Sequence, residues 1–392
     1  MRVLHVIPSV SPRRGGPSLA VLAMVRALRA RGVEAEIATT NDDGEGVLSV
    51  PLNAVGEHEG VPTRFFARFS PPLRAVREFA YSRGLSRWLD SACGEYDLVH
   101  VHAIFSHAST CAMATARRRS VPYLNRPLGQ LCEWSLGRRA AKKRAYLALV
   151  ERANLDAAAA LHFTTEQEER EAEPLGLRAP GFVAPHGVDV PDLLPDARAR
   201  LRARLGLPPD ARVVLFLSRV HPKKGLELLL PALAQLRDDQ VHFVLAGNAE
   251  PPDYEGVVDQ IVRDVGLAAR THRVPFATGE WKQLLLQGAD LFALTSHSEN
   301  FGLAVVEAWA AGTPVVVTPG VALADEVRRH GLGAVAALEV PAIAAAVRGL
   351  LASPDRRETA GQTARRHAQT HFAWPAVAAR LADEYIRTVG KA

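Results

Sequence analysis

The sequence predicts an α/β protein built from two doubly wound parallel-sheet domains, and three observations predict it. Short apolar runs rich in Val, Leu and Ala, such as residues 2–7, 213–217, 241–246, 290–294 and 315–317, recur between longer segments of helical length. Continuous apolar runs of strand length mark strands buried on both faces, as in parallel sheets covered by helices. At 392 residues the chain is long for a single core, so two domains are expected. Between residues 176 and 211 the composition shifts to a connection broken by Pro180, Pro185, Pro191, Pro195, Pro208 and Pro209. The first domain is therefore assigned to 1–185 and the second to 186–371. The remaining 372–392 opens a last helix, with Pro375 in its first turn.

In the first domain, strand 2–7 leads into the loop 9–18, whose Gly15-Gly16 pair precedes a helix running to about Arg31. A strand, a glycine pair and a helix N-terminus make an anion-friendly turn, although glycine pairs are usually plain turns. A strand at 34–39, a turn-rich and mobile stretch at 41–60, a strand at 62–66 and a helix at 71–91 are expected next. In Tyr96-Asp-Leu-Val-His-Val-His102, strand alternation puts Leu98, His100 and His102 on one face. His102 falls at the carboxyl end, the edge where open parallel sheets bind ligands. His100 and His107 read as structural histidines. A helix at 106–118, a strand at 121–125, a long helix from 138 to about 157, a strand at 159–162 and an acidic-start helix at 164 complete the domain.

The second domain opens with strand 213–217 and the loop Ser218-Arg-Val-His-Pro-Lys-Lys-Gly225. Arg219 and Lys224 lie five positions apart in a strand-to-helix loop, where two cations can meet one anion; Lys223 reads as solvated. Strand 241–246 ends at Gly247, and strand 273–276 ends on Phe276, which either lines a binding pocket or packs in the core. The centre of the domain is 290–318: a strand, the polar loop Thr295–Gly302, a helix from Leu303 to Ala311 ending at Gly312, and a second strand. The start of that helix suits an anion. Glu299 precedes it and Glu307 lies about 7.5 Å along its axis from Gly302. One carboxylate can hold a sugar hydroxyl and the other a ribose hydroxyl, with a diphosphate between.

Bulk properties exclude several classes. The net charge of +5 permits an anionic membrane face or a phosphorylated substrate. The basic runs Arg13-Arg14, Arg117–Arg119 and Arg138–Arg144 fit an interaction patch or a solvated helix face equally. They lack interleaved aromatics and a nucleic-acid motif, so no nucleic acid is expected. No apolar run reaches the ~18 residues of a membrane span, and the first apolar stretch is too short for a signal peptide. A cytoplasmic protein with peripheral contact at the inner membrane face is expected. Cys93, Cys111 and Cys132 have no metal or redox spacing and read as reduced thiols. The absence of Gly-x-Gly-x-x-Gly gives little support to a nicotinamide cofactor.

The segment Glu299-Asn300-Phe301-Gly302-Leu303, with Val306-Glu307-Ala308 and Gly312-Thr-Pro-Val-Val316, resembles the E-x7-E signature of retaining nucleotide-sugar glycosyltransferases. The family is glycosyltransferase family 4. The resemblance implies the GT-B fold, two Rossmann-like domains facing across a cleft, with the last helix, 372–392, packing back on the first domain. It extends to Gly15-Gly16, to Val-His-Val-His102, whose second histidine sits beside the transferred sugar, and to Pro185-His-Gly-Val-Asp189 near the hinge. Arg219 and Lys224 match the family's diphosphate clamp, Gly247 part of its Ala-Gly-x-Gly turn, and Phe276 its base pocket. His102, Arg219, Lys224 and Glu299 are thus the expected catalytic residues. Gly15, Gly16, Gly247, Phe276, Asn300, Phe301, Gly302, Leu303 and Glu307 are the expected substrate-binding residues.

The family does without a metal, and no Asp-x-Asp cluster lies in a suitable loop, so no metal or cofactor is expected. The implied reaction moves a sugar from a nucleotide-sugar donor, UDP- or GDP-linked, to a hydroxyl of a glycan or lipid-linked glycan in polysaccharide biosynthesis. Where family members carry a Pro-His-Gly-Met-Leu-like turn this chain has Arg126-Pro-Leu-Gly-Gln-Leu131, which leaves the acceptor contacts open. A nucleotide-sugar epimerase of similar fold and a non-catalytic sugar-nucleotide binder are the alternatives.

Overall fold

The apolar runs form strands, and the strands assemble into two large sheets in the computed structural model, which describes residues 1–137 and 140–390. The chain divides into one unit of Met1–Gly187 plus the segment from Trp374, and a second of Val188–Ala373.

The first unit carries β1 (Arg2–Ile7), β2 (Glu34–Thr40), β3 (Val55–His58), β4 (Val61–Phe66), β5 (Leu98–His102), β6 (Tyr123–Arg126), β7 (Ala160–Phe163) and β8 (Gly181–Val183). They lie in the order β8-β7-β6-β5-β1-β2-β4-β3. All neighbours are parallel except β3 and β4. Alternation sorts the side chains into two cores. Leu4, Val6, Val99 and Val101 face one core with Leu89, Ala112 and Met113, whereas Val3, Ile7 and Leu98 face another with Val21, Val25, Trp374 and Leu381. The second core holds the C-terminal helix Trp374–Val389 against helix Gly16–Ala30, so a segment remote in sequence covers the first sheet.

The second unit carries β9 (Arg212–Leu217), β10 (Val241–Ala246), β11 (Thr271–Val274), β12 (Leu291–Leu294), β13 (Val315–Val317) and β14 (Gly333–Val335), in the order β11-β10-β9-β12-β13-β14. All pairs are parallel. In both sheets the chain reverses its direction of growth beside the first strand, between β1 and β5 and between β9 and β12. Such switch points are where the loops at the carboxyl ends diverge and leave room for a ligand.

Several local expectations change. The stretch 41–60, expected as a mobile loop, contains the two-stranded ribbon Asp42–Asp43 and Gly46–Val47 and the edge strand β3. Arg68 and Arg14 both bond the buried Asp42, which holds this stretch in place. The helix expected at 71–91 is two helices, Arg74–Glu78 and Arg83–Ala92, separated where Ala80 takes a positive φ of 53°. The long helix ending near 157 is interrupted by a wide turn at Leu147–Glu151, and its expected start at Arg138-Arg139 lies outside the described residues. The chain crosses between units after Gly187 rather than after 185, and returns after Ala373 rather than after 371. Gly187 is packed under Trp374, whose ring a Cβ would meet at 2.3 Å, and Val188 N–H donates to Phe372 O at 2.8 Å.

Much of the basic charge near the start of the chain is internally paired. Arg14 bonds Asp42, Arg13 lies 3.5 Å from Asp43, and Arg118 pairs with the carboxylate of Asp90, whose main-chain carbonyl accepts from Arg119. No helix among the described residues is long and apolar enough to cross a membrane.

Candidate active site

At the switch point of the second sheet, the loop after β9 and the loop after β12 are stitched into one platform. Gly225 has φ +68°, and a Cβ there would lie 2.0 Å from Thr295 O, so the two loops touch at a place only glycine fits. Thr295 Oγ1 donates to Gly225 O at 3.0 Å, and His297 N–H donates to Lys223 O at 2.9 Å. A third loop joins from β13: Glu299 N–H donates to Gly320 O at 2.7 Å and Ala322 N–H to Glu299 O at 3.0 Å.

On this platform Lys224 and Glu299, 75 residues apart in sequence, form an ion pair, with side chains 10% and 20% exposed. Gly302 follows with φ +84° and turns the chain into helix Leu303–Ala310, whose first turn no side chain caps. The leading N–H groups of a helix have no partner within it and carry partial positive charge. The ammonium group of Lys224 and that helix start therefore belong to one loop cluster, beside a carboxylate that accepts hydrogen bonds.

The other expected donor residues are placed as follows. Glu307 lies in the second turn of the helix and accepts from Lys282 Nζ at 2.7 Å. Arg219 does not join Lys224: its side chain, 66% exposed, turns to Glu250 at 2.7 Å. Its loop is nevertheless tied to the turn after β10. Val220 N–H donates to Asn248 O, and a Cβ on Gly247 would lie 2.0 Å from Ser218 O. Strand β11 ends at Val274, two residues earlier than expected, and leaves Phe276 73% exposed, which excludes core packing. The ring of Phe301 is buried at 4% exposure, 6.3 Å from the ring of Phe372, so its main chain is the part left to meet a ligand. Asn300 sits in the same loop, and Leu303 packs partly into the core at the helix start.

The switch point of the first sheet is lined by histidines. His5 on β1 and His100 and His102 on β5 project to one face; His5 Nδ1 and His102 Nε2 are 3.0 Å apart. His100 bonds Tyr385 of the C-terminal helix at 2.7 Å and His162 at 3.2 Å, and His162 in turn bonds Ala184 O. Three imidazoles within 4.8 Å of one another suit a metal ion. Here His5 Nδ1 meets His102 Nε2, and both nitrogens of His100 bond Tyr385 and His162, so the row reads as a buried hydrogen-bond chain in which, among the described residues, His5 Nε2 alone of the His5 and His100 nitrogens has no partner. Burial, with the nearby guanidinium of Arg126, pushes His5 down to about 3 and keeps His102 far below the usual imidazole range. His102 is therefore neutral at pH 7.

The backbone beyond His102 is strained and held. Ala103 and Phe105 have φ of 68° and 59°, rare for residues with a Cβ. Asn125 Nδ2 donates to Ala103 O at 3.1 Å, Ala103 N–H to Arg126 O at 2.8 Å, and Ile104 N–H to Gln130 Oε1 at 2.5 Å. Such over-determined strain clusters at functional sites. Gly15, with φ +88°, leads into helix Gly16–Ala30, which also lacks a side-chain cap.

Three contributors were missed in the sequence. Lys282 pairs Glu307 from another helix, and nothing local marks the partnership. Tyr385 reaches His100 from 285 residues away. Arg126 sits beside His102 in strand register, 1% exposed, with Nη2 3.0 Å from His186 Nδ1. Its departure from the family's turn was visible, its burial was not.

Comparison with known proteins places these features in context. Residues 197–367 match the family described as Glycosyl transferases group 1, and residues 15–187 match the Glycosyl transferase 4-like domain. The chain is 32% identical to a D-inositol 3-phosphate glycosyltransferase of Mycolicibacterium gilvum, over 98% of this chain and 88% of that one. It is 30% identical to another from Kineococcus radiotolerans, over 98% and 94%. In fold it is similar to sucrose-phosphate synthase from Thermosynechococcus elongatus, with TM-score 0.80, 22% identity and 100% of both chains covered. It also resembles Anabaena HepE in complex with UDP and glucose, with TM-score 0.76, 21% identity and 98% and 99% covered.

Proposed function

Since the chain belongs to the group 1 glycosyl transferases and carries their 4-like first domain, we propose that it transfers a sugar from a nucleoside-diphosphate sugar to an acceptor hydroxyl with retention at the anomeric carbon. The observation that carries this reading is the Lys224–Glu299 pair beside the uncapped start of helix Leu303–Ala310, at the switch point of the second sheet. The diphosphate lies on the helix N–H groups, and Lys224 leaves Glu299 to meet it. Glu299 then accepts from a hydroxyl of the donor sugar. Glu307, steadied by Lys282, accepts from a ribose hydroxyl. Arg219, released from its exposed contact with Glu250, reaches the leaving phosphate, and the exposed Phe276 stacks on the base. His102, neutral and buried, donates or accepts at the transferred sugar, and the Gly15-Gly16 turn meets phosphate or acceptor.

In the reaction the bond from the anomeric carbon to the phosphate oxygen breaks, and its electron pair stays on that oxygen. Lys224, Arg219 and the helix dipole stabilise the charge that develops there. The acceptor oxygen bonds to the same face of the carbon, and its proton passes to the departing phosphate oxygen. No protein nucleophile and no metal take part in this reading. UDP is the leading nucleotide, since HepE was solved with UDP and with UDP-glucose.

A glycan or lipid-linked glycan is the proposed acceptor, met at an anionic membrane face. The support is a segment of the first unit that combines exposed Trp134, Leu149 (84%) and Val150 with exposed Lys142 and Arg144. The deciding experiment is calorimetry of the chain with UDP, GDP and ADP sugars, followed by transfer assays with the donor that binds. Binding of one donor with turnover abolished in Glu299→Ala supports the reading. An epimerised donor in the absence of acceptor, or no nucleotide binding at all, overturns it.

A further inference from the structure

A second cluster in the second unit has no part in the proposed transfer. Helix Ala324–His330 places Glu326 and His330 four residues apart, on one face. The last residue of helix Pro354–His367 comes alongside them. Glu326 Oε2 is 3.0 Å from His330 Nε2 and 3.3 Å from His367 Nε2, and the three ligand atoms all lie within 4.8 Å of one another.

These contacts are close but misdirected as hydrogen bonds. Glu326 Oε2 and His367 Nε2 are both buried, and their contact with each other, at 3.3 Å, is poorly angled for a hydrogen bond. Buried polar atoms are rarely left so, because each costs about 1–3 kcal/mol. Lone pairs that approach each other without pointing at each other converge on a common point. Tetrahedral bonds of about 2.0–2.1 Å put neighbouring ligand atoms about 3.3–3.4 Å apart, close to the 3.0 and 3.3 Å from Glu326 to the two imidazoles.

We propose that Glu326, His330 and His367 bind a divalent transition-metal ion of the zinc class. Two imidazoles and one carboxylate are a borderline donor set, suited to zinc and its neighbours rather than to magnesium or calcium. His330 is 45% exposed and gives the ion its way in, while His367 at 10% anchors it. Water fills the remaining position, and His371, with its ring 4.7 Å from that of His367, is the nearest further imidazole. The ion ties two helices of the second unit together. One of them begins three residues after Val321, whose loop holds Glu299, and the ligands lie up to about 9 Å further along that helix. The site is therefore structural and separate from the reacting atoms, and it stands whether or not the transferase reading does.

The test uses the full-length chain without an affinity tag, stripped by chelator and then titrated with Co²⁺ and Zn²⁺. One equivalent of Co²⁺ gives the d–d absorption of a low-coordinate nitrogen and oxygen site, Zn²⁺ displaces it, and Zn²⁺ raises the melting temperature. His330→Ala, an exposed change that leaves the fold intact, weakens binding by more than about 100-fold and removes the melting shift, and Glu326→Gln does the same. Absence of d–d absorption and of zinc uptake in the unaltered chain overturns the proposal. So does metal binding that survives unchanged in His330→Ala.

Discussion

Replacing Gly225 by Ala tests whether the donor platform is built as described. Two costs are worked from the backbone. A positive φ costs a residue with a Cβ about 1 kcal/mol. In addition, the new methyl would lie 2.0 Å from Thr295 O, so the loops must part by at least about 1 Å, an overpacking cost of about 1–3 kcal/mol. Gly206 provides the control: its φ is +66°, almost that of Gly225, with nothing within 4 Å of a built Cβ. Gly206→Ala should thus lower stability by about 1 kcal/mol and Gly225→Ala by about 2–4 kcal/mol. For a unit of this size the melting shifts are about 2–4 °C and about 4–16 °C. The assay is thermal unfolding followed by the fluorescence of Trp281 and Trp309, together with UDP titration. Parting the loops moves Lys224 relative to Glu299, so Gly225→Ala should also lose at least about tenfold in UDP affinity, while Gly206→Ala keeps it. Equal melting shifts and equal affinities in the two variants would refute the claim that the loops meet at Gly225.

The remaining predictions concern charge. Lys224→Ala should weaken UDP binding by about 10-fold or more, whereas Glu299→Gln, which frees Lys224 from its partner, should keep or tighten UDP binding while turnover collapses; parallel losses in both variants would contradict the swap of partners, and calorimetry with a turnover assay reads both. Lys282→Met should raise the KM for donor through a misplaced Glu307 and leave kcat within about threefold, which steady-state kinetics decides. The histidine row sets an acid limit. His5, His100, His102 and His162 have folded pKa values below the ordinary 6.5, to about 3 for His5. The unfolded chain therefore binds more protons below pH 6.5, and the row's contribution to stability, fully present above that pH, is lost progressively as pH falls below it. Melting temperature against pH should bend downward just below 6.5 in the first unit's transition, and a flat profile to pH 5 would show that the row is not buried and neutral.

Much of this was legible in the sequence because parallel sheets announce themselves locally. Runs such as Val315–Val317 need no alternation, and the glycines that turn strand into helix stand beside the residues they present, as Gly302 does beside Glu299. The switch points were not legible, since they rest on the order in which strands pair, such as β11-β10-β9-β12-β13-β14, which no local run of residues states. What was hidden depends on side-chain direction and on distant partners. Phe301 looked like part of a polar loop, yet its ring turns inward to Phe372. Arg219 looked like the partner of Lys224, but its exposed side chain turns to the carboxylate of Glu250. No periodicity relates Glu307 to Lys282 or His100 to Tyr385. The break at Ala80 was invisible because alanine is the best of helix formers, and only tertiary packing turns it out of the helix.

The most direct measurement is the structure of the chain with UDP bound. The diphosphate is predicted to lie within hydrogen-bond distance of Lys224 Nζ and of the N–H groups of Leu303 and Ala304, with Glu307 on the ribose. Nucleotide bound elsewhere, with the Lys224–Glu299 pair undisturbed, would contradict the account.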